Sequence, residues 1–385
     1  MKNENLDISF KNLGNYFLYL GSIGFGGPAA LTQRMEVDLV TEKKWLTKEE
    51  YVEGFALSQL APGPLAAQLA IYIGWLKYGN LGAAWIGFLF CLPSFLMCIA
   101  IGFLYVKFDS LPWIESVFYI AGPAVVAVIV NSSYSLFNKT SKEDRFTILI
   151  WIISAIYTAY YEEESILLFM TCGLVLALIR KYSLKTKYLS LSLFPFLLFA
   201  TEAKANSEVL TKIAIYFTKA GAFVFGSGLA IVPFLHTGVV KDFGWLTERQ
   251  FLDAIAVAMI TPGPVVITTA FIGYLVSGLS GATVAAVATF LPCYIITIAC
   301  APFFYKIARN NFIKDAVTGV TVAAVGAIAG ACFVIGKRTL LDPFAVFAAL
   351  IFLGVLLKFK IKEPALILSA AIIGYGLYLV KGNIL

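Results

Sequence analysis

The sequence contains one histidine, no Cys-x-x-Cys pair, and charged side chains at only 14% of its 385 positions. An ordinary soluble domain carries about 25% charged residues, so the chain lacks the polar surface that a water-soluble globule of this size needs. Without clustered histidines or paired cysteines there is no metal site to predict. The six cysteines (Cys91, Cys98, Cys172, Cys293, Cys300, Cys332) all fall in apolar stretches and read as packing residues. HExxH and GxSxG motifs are absent, and no cofactor motif is present, which argues against a membrane-embedded enzyme. The polar, mixed-charge start (Met1 to Lys11) has neither the basic opening nor the small-residue cleavage site of a signal peptide.

What the chain has instead is apolar length: 60% of its residues are hydrophobic. At roughly 22 to 30 residues per span and connection, such a chain accommodates about 13 to 17 transmembrane helices at most. The runs are continuous rather than alternating, which disfavours a β-barrel, and the composition disfavours a nucleic-acid partner. The expected class is an all-α polytopic membrane protein. Its net charge of +6 is read as cytoplasmic loop charge.

The chain repeats itself. Adding 200 carries Phe25-Gly26 onto Phe225-Gly226, Trp45-Leu46-Thr47 onto Trp245-Leu246-Thr247, and Pro62-Gly63-Pro64 onto Pro262-Gly263-Pro264, with 12 identities in the 44 ungapped pairs from position 21 to 64. The register continues at an offset of 199 through Gly74/Gly273, Gly79/Gly278, Gly82-Ala83/Gly281-Ala282 and Pro93/Pro292. Two homologous halves are expected, 1–180 and 210–385, joined by a linker at 181–209. Each half is predicted to hold six helices: 12–33, 51–76, 82–106, 113–137, 146–161 and 164–180, answered by 211–235, 251–276, 280–305, 313–336, 343–357 and 364–380. The basic loops follow the fourth and sixth helices of the first half but the third and fifth of the second, so the halves are expected to be inverted. The short run 189–200 would supply the odd crossing, giving 12 to 13 helices in all.

Pro-Gly-Pro inside an apolar run removes two backbone donors and must break the helix. The freed groups cannot face lipid, and helices broken at matching positions in inverted repeats point to a transporter's substrate site near the midplane. Half-helix N-termini there would favour an anion, and the two breaks are expected to face one another across one cavity. The substrate-site candidates are Gly26, Gly27, Pro28, Arg34, Gln59, Pro62, Gly63 and Pro64 in the first half, and Gly226, Ser227, Thr261, Pro262, Gly263 and Pro264 in the second. Ser58, Gln68, Thr268 and Thr269 are the other polar residues beside the breaks, where hydroxyls could donate to oxyanion oxygens. Arg34 could clamp an anion or simply pair with Glu36 at the interface. The register-equivalent Glu53 and Asp253, with His236, are candidates for proton coupling if buried.

The motifs Gly24-Phe25-Gly26-Gly27-Pro28, Trp45-Leu46-Thr47, Pro62-Gly63-Pro64 and Ile73-Gly74, with Phe225-Gly226, Val232-Pro233-Phe234-Leu235, Gly244-Trp245-Leu246-Thr247 and Ile260-Thr261-Pro262-Gly263-Pro264, resemble the chromate ion transporter family in its long, two-domain form. The resemblance covers about residues 10 to 380. It implies a multi-pass protein of the cytoplasmic membrane with two oppositely oriented halves, exporting chromate or a sulfate-like oxyanion as an antiporter. The chain departs from the family pattern at Leu65, where many members are polar, and at Glu36, where some have histidine. A transporter or channel for another small anion is the alternative. The lipid bilayer is the other expected partner, and a homo-oligomer is left open.

Overall fold

A computed structural model describes residues 8–108, 112–140, 144–183, 209–224, 228–304, 310–359 and 361–382. The expected extra span at 189–200 lies outside these residues. Among the described residues there are fourteen α-helices and no strand. In the first half these are α1 (Phe10–Ile23), α2 (Gly27–Glu36), α3 (Lys48–Leu60), α4 (Leu65–Phe108), α5 (Pro112–Thr140), α6 (Arg145–Tyr161) and α7 (Ile166–Ser183). The second half repeats the order as α8 (Val209–Ala222), α9 (Val232–His236), α10 (Glu248–Ile260), α11 (Thr268–Cys300), α12 (Asn311–Thr339), α13 (Pro343–Phe359) and α14 (Glu363–Gly382). Five of them are long and apolar enough to cross a membrane.

The repeat extends to local detail. A π-helical turn follows α2 at Val37–Glu42 and α9 at Thr237–Asp242. Thr47 and Thr247 each close a capping box, with Glu50 and Gln250 respectively, and so start α3 and α10. Both α4 and α11 contain a reversal, at Tyr78-Gly79 and at Ser277-Gly278, where the glycine adopts φ of 64° and 60°. Across these turns Gly74 meets Gly82 and Gly273 meets Gly281 backbone to backbone, so each long element is a tight helical hairpin.

The Gly- and Pro-broken segments also double back, which the apolar pattern alone does not reveal. Tyr16 donates to Asp38 and Tyr19 lies under Arg34, which places α1 alongside α2 and the turn after it. Lys77 reaches Glu50, and Tyr72 packs on Gly54 and donates to Glu53, which places the first arm of α4 beside α3. In the second half Tyr216 meets Phe234 and Gly238 in the same way. A continuous helix would hold Glu50 and Lys77 about 40 Å apart. Each half therefore contains two helical hairpins whose tips are the glycine and Pro-Gly-Pro breaks, followed by longer helices.

Packing between halves is reciprocal. The fourth long segment of each half lies against the last two helices of the other, α12 on α6 and α7, and α5 on α13 and α14. Small residues permit close approach: Gly173 abuts Ala316 and Gly374 abuts Ser116, the same pair exchanged between halves. Further along, Gly326 and Gly330 sit against the α6 backbone at Trp151 and Ala155. Tyr119 near the start of α5 donates to Asp342 just beyond the end of α12. At the opposite end, Arg180 bridges Asp144, just after α5, and Asp315, at the start of α12. The equivalent helices α5 and α12 thus run antiparallel.

Candidate functional site

The hairpin tips meet in the middle of the bundle through two backbone hydrogen bonds that are images of one another. Gly63 N–H donates to Val224 O at 2.6 Å, and Gly263 N–H donates to Gly24 O at 2.8 Å. Each Pro-Gly-Pro tip therefore rests on the glycine tip of the other half, and the junction is closed by direct contact. The glycines permit this. Gly63 and Gly263 adopt φ of 144° and 96°, and Gly26 and Gly27 adopt 108° and 75°, values that side chains with a Cβ rarely take. Pro64 and Pro264 precede the first helical residue, so their carbonyls accept from Gln68 N and Ile267 N and each acts as a cap. Pro28 does occupy the first turn of α2, just after Gly26. Gly226 and Ser227 lie outside the described residues.

The two Pro-Gly-Pro tips have the same backbone but different supports. At the first, the Gln68 side chain is fully buried and its amide Nε2 donates to Pro62 O at 2.8 Å and to Ala61 O at 3.3 Å. At the second, position 268 is a threonine, and Pro262 O instead accepts from the hydroxyl of Ser94, 2.5 Å away on the other half's α4. Ser94 has Cys293 as its repeat equivalent, and the Cys293 thiol stands over Gly63 as Ser94 stands over Gly263. Sequence reading marks the tips but passes over Ser94, because a serine in the middle of an apolar helix carries no local signal.

The hydroxyls beside the tips are engaged within their own helices. Thr261 donates to Val257 O (2.6 Å), Thr268 to Val265 O (2.6 Å), Thr269 to Val266 O (3.1 Å) and Ser58 to Gly54 O (2.7 Å). The nearby helical carbonyl outcompetes a more distant acceptor, so backbone N–H groups are the donors left for an anion in this conformation. Gln59 lies on the exposed side of α3. Arg34 pairs with Asp38 at 3.5 Å and lines an open cleft with Asn12, Tyr16, Tyr19, Lys43 and Trp45, away from the tips.

Of the three coupling candidates, Asp253 and His236 are buried and Glu53 is half-buried. Asp253 Oδ2 accepts from the hydroxyl of Tyr105 in the other half at 2.7 Å, and Glu53 from Tyr72 at 3.4 Å. His236 Nε2 lies 2.7 Å from Glu248, whose second oxygen accepts from Arg338 at 2.9 Å; the same guanidinium also bonds Glu162. Thr237 and Lys241 add bonds to the Glu162 carbonyl. This network joins the halves at the end of the bundle that carries the α6–α7 turn. Within that turn Glu164 is pushed up to about 7, chiefly by burial, with the charges of Asp242 and Glu163 adding and the Thr237 hydroxyl opposing.

Among the described residues no group of three metal-ligating side chains occurs. Comparison with known proteins matches residues 11–178 and 211–375 separately to one family model, described as chromate transporter. A probable chromate transport protein of Synechococcus elongatus is 49% identical over 375 residues, covering 95% of each chain. The chromate transport protein of Cupriavidus metallidurans is 48% identical and covers 96% of this chain and 94% of its own. An uncharacterized transporter of Bacillus subtilis matches 39% of this chain at 27% identity while using 86% of its own length, as a single half would. No solved structure matches.

Proposed function

The chain belongs to the chromate transporter family, and on that premise we propose that this multi-pass membrane protein is a secondary transporter that exports chromate and similar tetrahedral oxyanions across the cytoplasmic membrane in exchange for protons. The observation that carries the reading is the pair of reciprocal bonds at the tips, Gly63 to Val224 and Gly263 to Gly24. Four helix N-termini, those of α2, α4, the turn before α9 and the turn before α11, converge on one region at the depth where the hairpins reverse. Their partial positive charge suits an anion without any buried cation.

The halves are taken to be inverted about an axis in the membrane plane. The antiparallel placement of α5 and α12 supports this, and so does the distribution of charge. Lys77, Arg145, Arg180, Lys314 and Lys358 fall at one end of the bundle, with Glu50, Asp144 and Asp315 paired among them, and Glu115, Glu162, Glu248 and Asp342 at the other, where Arg249 and Arg338 pair with three of them, so cations are the more numerous at the first end. The basic end is assigned to the cytoplasm. The first-half hairpins then enter from inside and the second-half hairpins from outside, each pair gating one side. Asp253 on an outer hairpin and Glu53 on an inner one are positioned to take up and release the exchanged proton. The direction of export rests on the family resemblance.

Everted vesicles containing the protein should accumulate labelled chromate faster when a pH gradient is imposed, and excess sulfate should slow that uptake. Uptake indifferent to the gradient would replace the exchanger with a channel. Chromate flux no greater than in vesicles lacking the protein would remove the reading altogether.

A further inference from the structure

The first Pro-Gly-Pro tip contains a buried acceptor with nothing to accept from. Gln68 is 0% exposed, and its Nε2 is fixed by the carbonyls of Pro62 and Ala61. Exchanging the amide's nitrogen and oxygen would set an oxygen against those two carbonyls, so the orientation is determined by its partners. The Oε1 that remains has no hydrogen-bond partner among the described residues. Leaving such an acceptor unpaired forfeits the hydrogen bonds it would make in water. Every other side-chain oxygen named at the tips is a hydroxyl that donates to a carbonyl.

The amide lies at the tip itself. A Cβ on Gly63 would come within 2.7 Å of Nε2 and 2.8 Å of Cδ, and the Cys293 thiol closes the other side at 3.1 Å. Because helical side chains lean toward the N-terminus, Gln68 folds back over the first turn of its own helix. That turn offers the N–H groups of Leu65, Ala66 and Ala67, which have no acceptor within the helix. The site therefore presents several donors and one acceptor. Its positive end repels a cation, so the ligand that meets both demands is an anion carrying a hydrogen.

Resting on the transport reading above, we propose that the tips bind a singly protonated tetrahedral oxyanion, with Gln68 Oε1 accepting the hydrogen of its hydroxyl and the first-turn N–H groups of α4 donating to its other oxygens. Hydrogen chromate has this form. Sulfate at neutral pH does not, and would place a charged oxygen against Oε1. A site built around a substrate hydroxyl discriminates strongly against analogues lacking it.

The experiment is displacement of labelled chromate from the purified full-length protein at one neutral pH, with inorganic phosphate and sulfate as competitors. Phosphate bears at least one hydrogen under these conditions and sulfate none, so at a fixed pH the two competitors differ while the protein stays in one state. Phosphate should displace chromate at least about ten-fold better than sulfate. Gln68→Lys retains donors for the Pro62 and Ala61 carbonyls but replaces the acceptor with N–H, and should reverse the order. Equal displacement by the two anions in the wild-type protein overturns the proposal and leaves Oε1 satisfied by a buried water only. This wild-type comparison decides even if Gln68→Lys fails to fold. In the same assay Gly63→Ala tests the location: undiminished chromate binding by that variant would move the site away from the tips and remove the transport reading's geometry as well, whereas weakened binding together with equal competitors would sink only the protonated-anion proposal.

Discussion

At one place in the repeat the two halves pair the same two positions, with the carboxylate and its partner exchanged. In the first half Glu36 meets Lys48; in the second His236 meets Glu248. The acid sits before the turn in one case and after it in the other. Their settings also differ: Glu36 and Lys48 are 35% and 59% exposed, whereas His236 is 5% exposed and Glu248 is tied to Arg338, which reaches Glu162 of the other half. Val37 stands where the second half has Thr237. Under the proposed gating, one backbone motif serves as a loosely held gate on one side and a cross-linked one on the other. Fold symmetry does not require energetic symmetry, and a transporter with unequal gates rests facing one way.

The sharpest way to break the comparison is at the tips. Gly263→Ala adds a Cβ against the Ser94 hydroxyl at a left-handed φ, and should lower transport at least about ten-fold, given a cost of roughly 1 to 3 kcal/mol for the strained backbone alone. Gly63→Ala meets the flexible end of Gln68 and should cost less, so the ratio of the two initial rates measures the difference in support. Both sites are fully packed, so larger residues such as leucine would report on folding as much as on transport.

The carboxylates come next. Asp253→Asn should abolish stimulation of chromate flux by a pH gradient, because Asp253 is buried and bonded across the halves by Tyr105. Glu53→Gln should reduce it only a few-fold. Equal effects of the two substitutions, measured as gradient-driven flux in vesicles, would argue that burial does not distinguish them.

For the gates, Arg338→Gln leaves Glu162 and Glu248 without their shared partner and should lower stability by about 1 to 2 kcal/mol, between the values for exposed and buried pairs. Lys48→Gln should change it by less than about 1 kcal/mol. Thermal melting in detergent would show the ordering, and a larger loss from Lys48→Gln would invert the account of the two gates.

A smaller effect concerns pH. Glu164 in the α6–α7 turn has its affinity for a proton raised to about 7, so the folded state binds that proton more tightly than the unfolded chain does. Its contribution to stability is present at low pH and is lost as the pH rises from the ordinary carboxylate range through about 7. Glu164→Gln should flatten the melting-temperature profile over that window. An unchanged profile would show that another group titrates there.

Much of this architecture was legible in the sequence because glycine and proline have few other uses inside an apolar helix. The offset-200 register located the tips and paired the two Trp-Leu-Thr stretches, whose threonines the structure shows to cap α3 and α10. What periodicity could not show is that the chain reverses at the tips, since a hairpin with two short arms and a kinked span have the same apolar pattern. The Gly74–Gly82 contact was equally hidden, because close backbone approach leaves no trace beyond the glycines themselves. Ser94 and Arg338 went unmarked for a different reason. Their partners, Pro262 and Glu162, lie more than 150 residues away, and no local rule connects them.

The central claim is that the two halves enter the membrane from opposite sides, and site-directed labelling tests it directly. Thr41 and Lys241 are register equivalents, both exposed, in the turns that follow α2 and α9. With a single cysteine at one or the other position in an otherwise cysteine-free protein, a membrane-impermeant maleimide applied to intact cells should label position 241 and spare position 41 until the membrane is permeabilised. Labelling of both positions from the same side would contradict the inverted arrangement and the gating built on it.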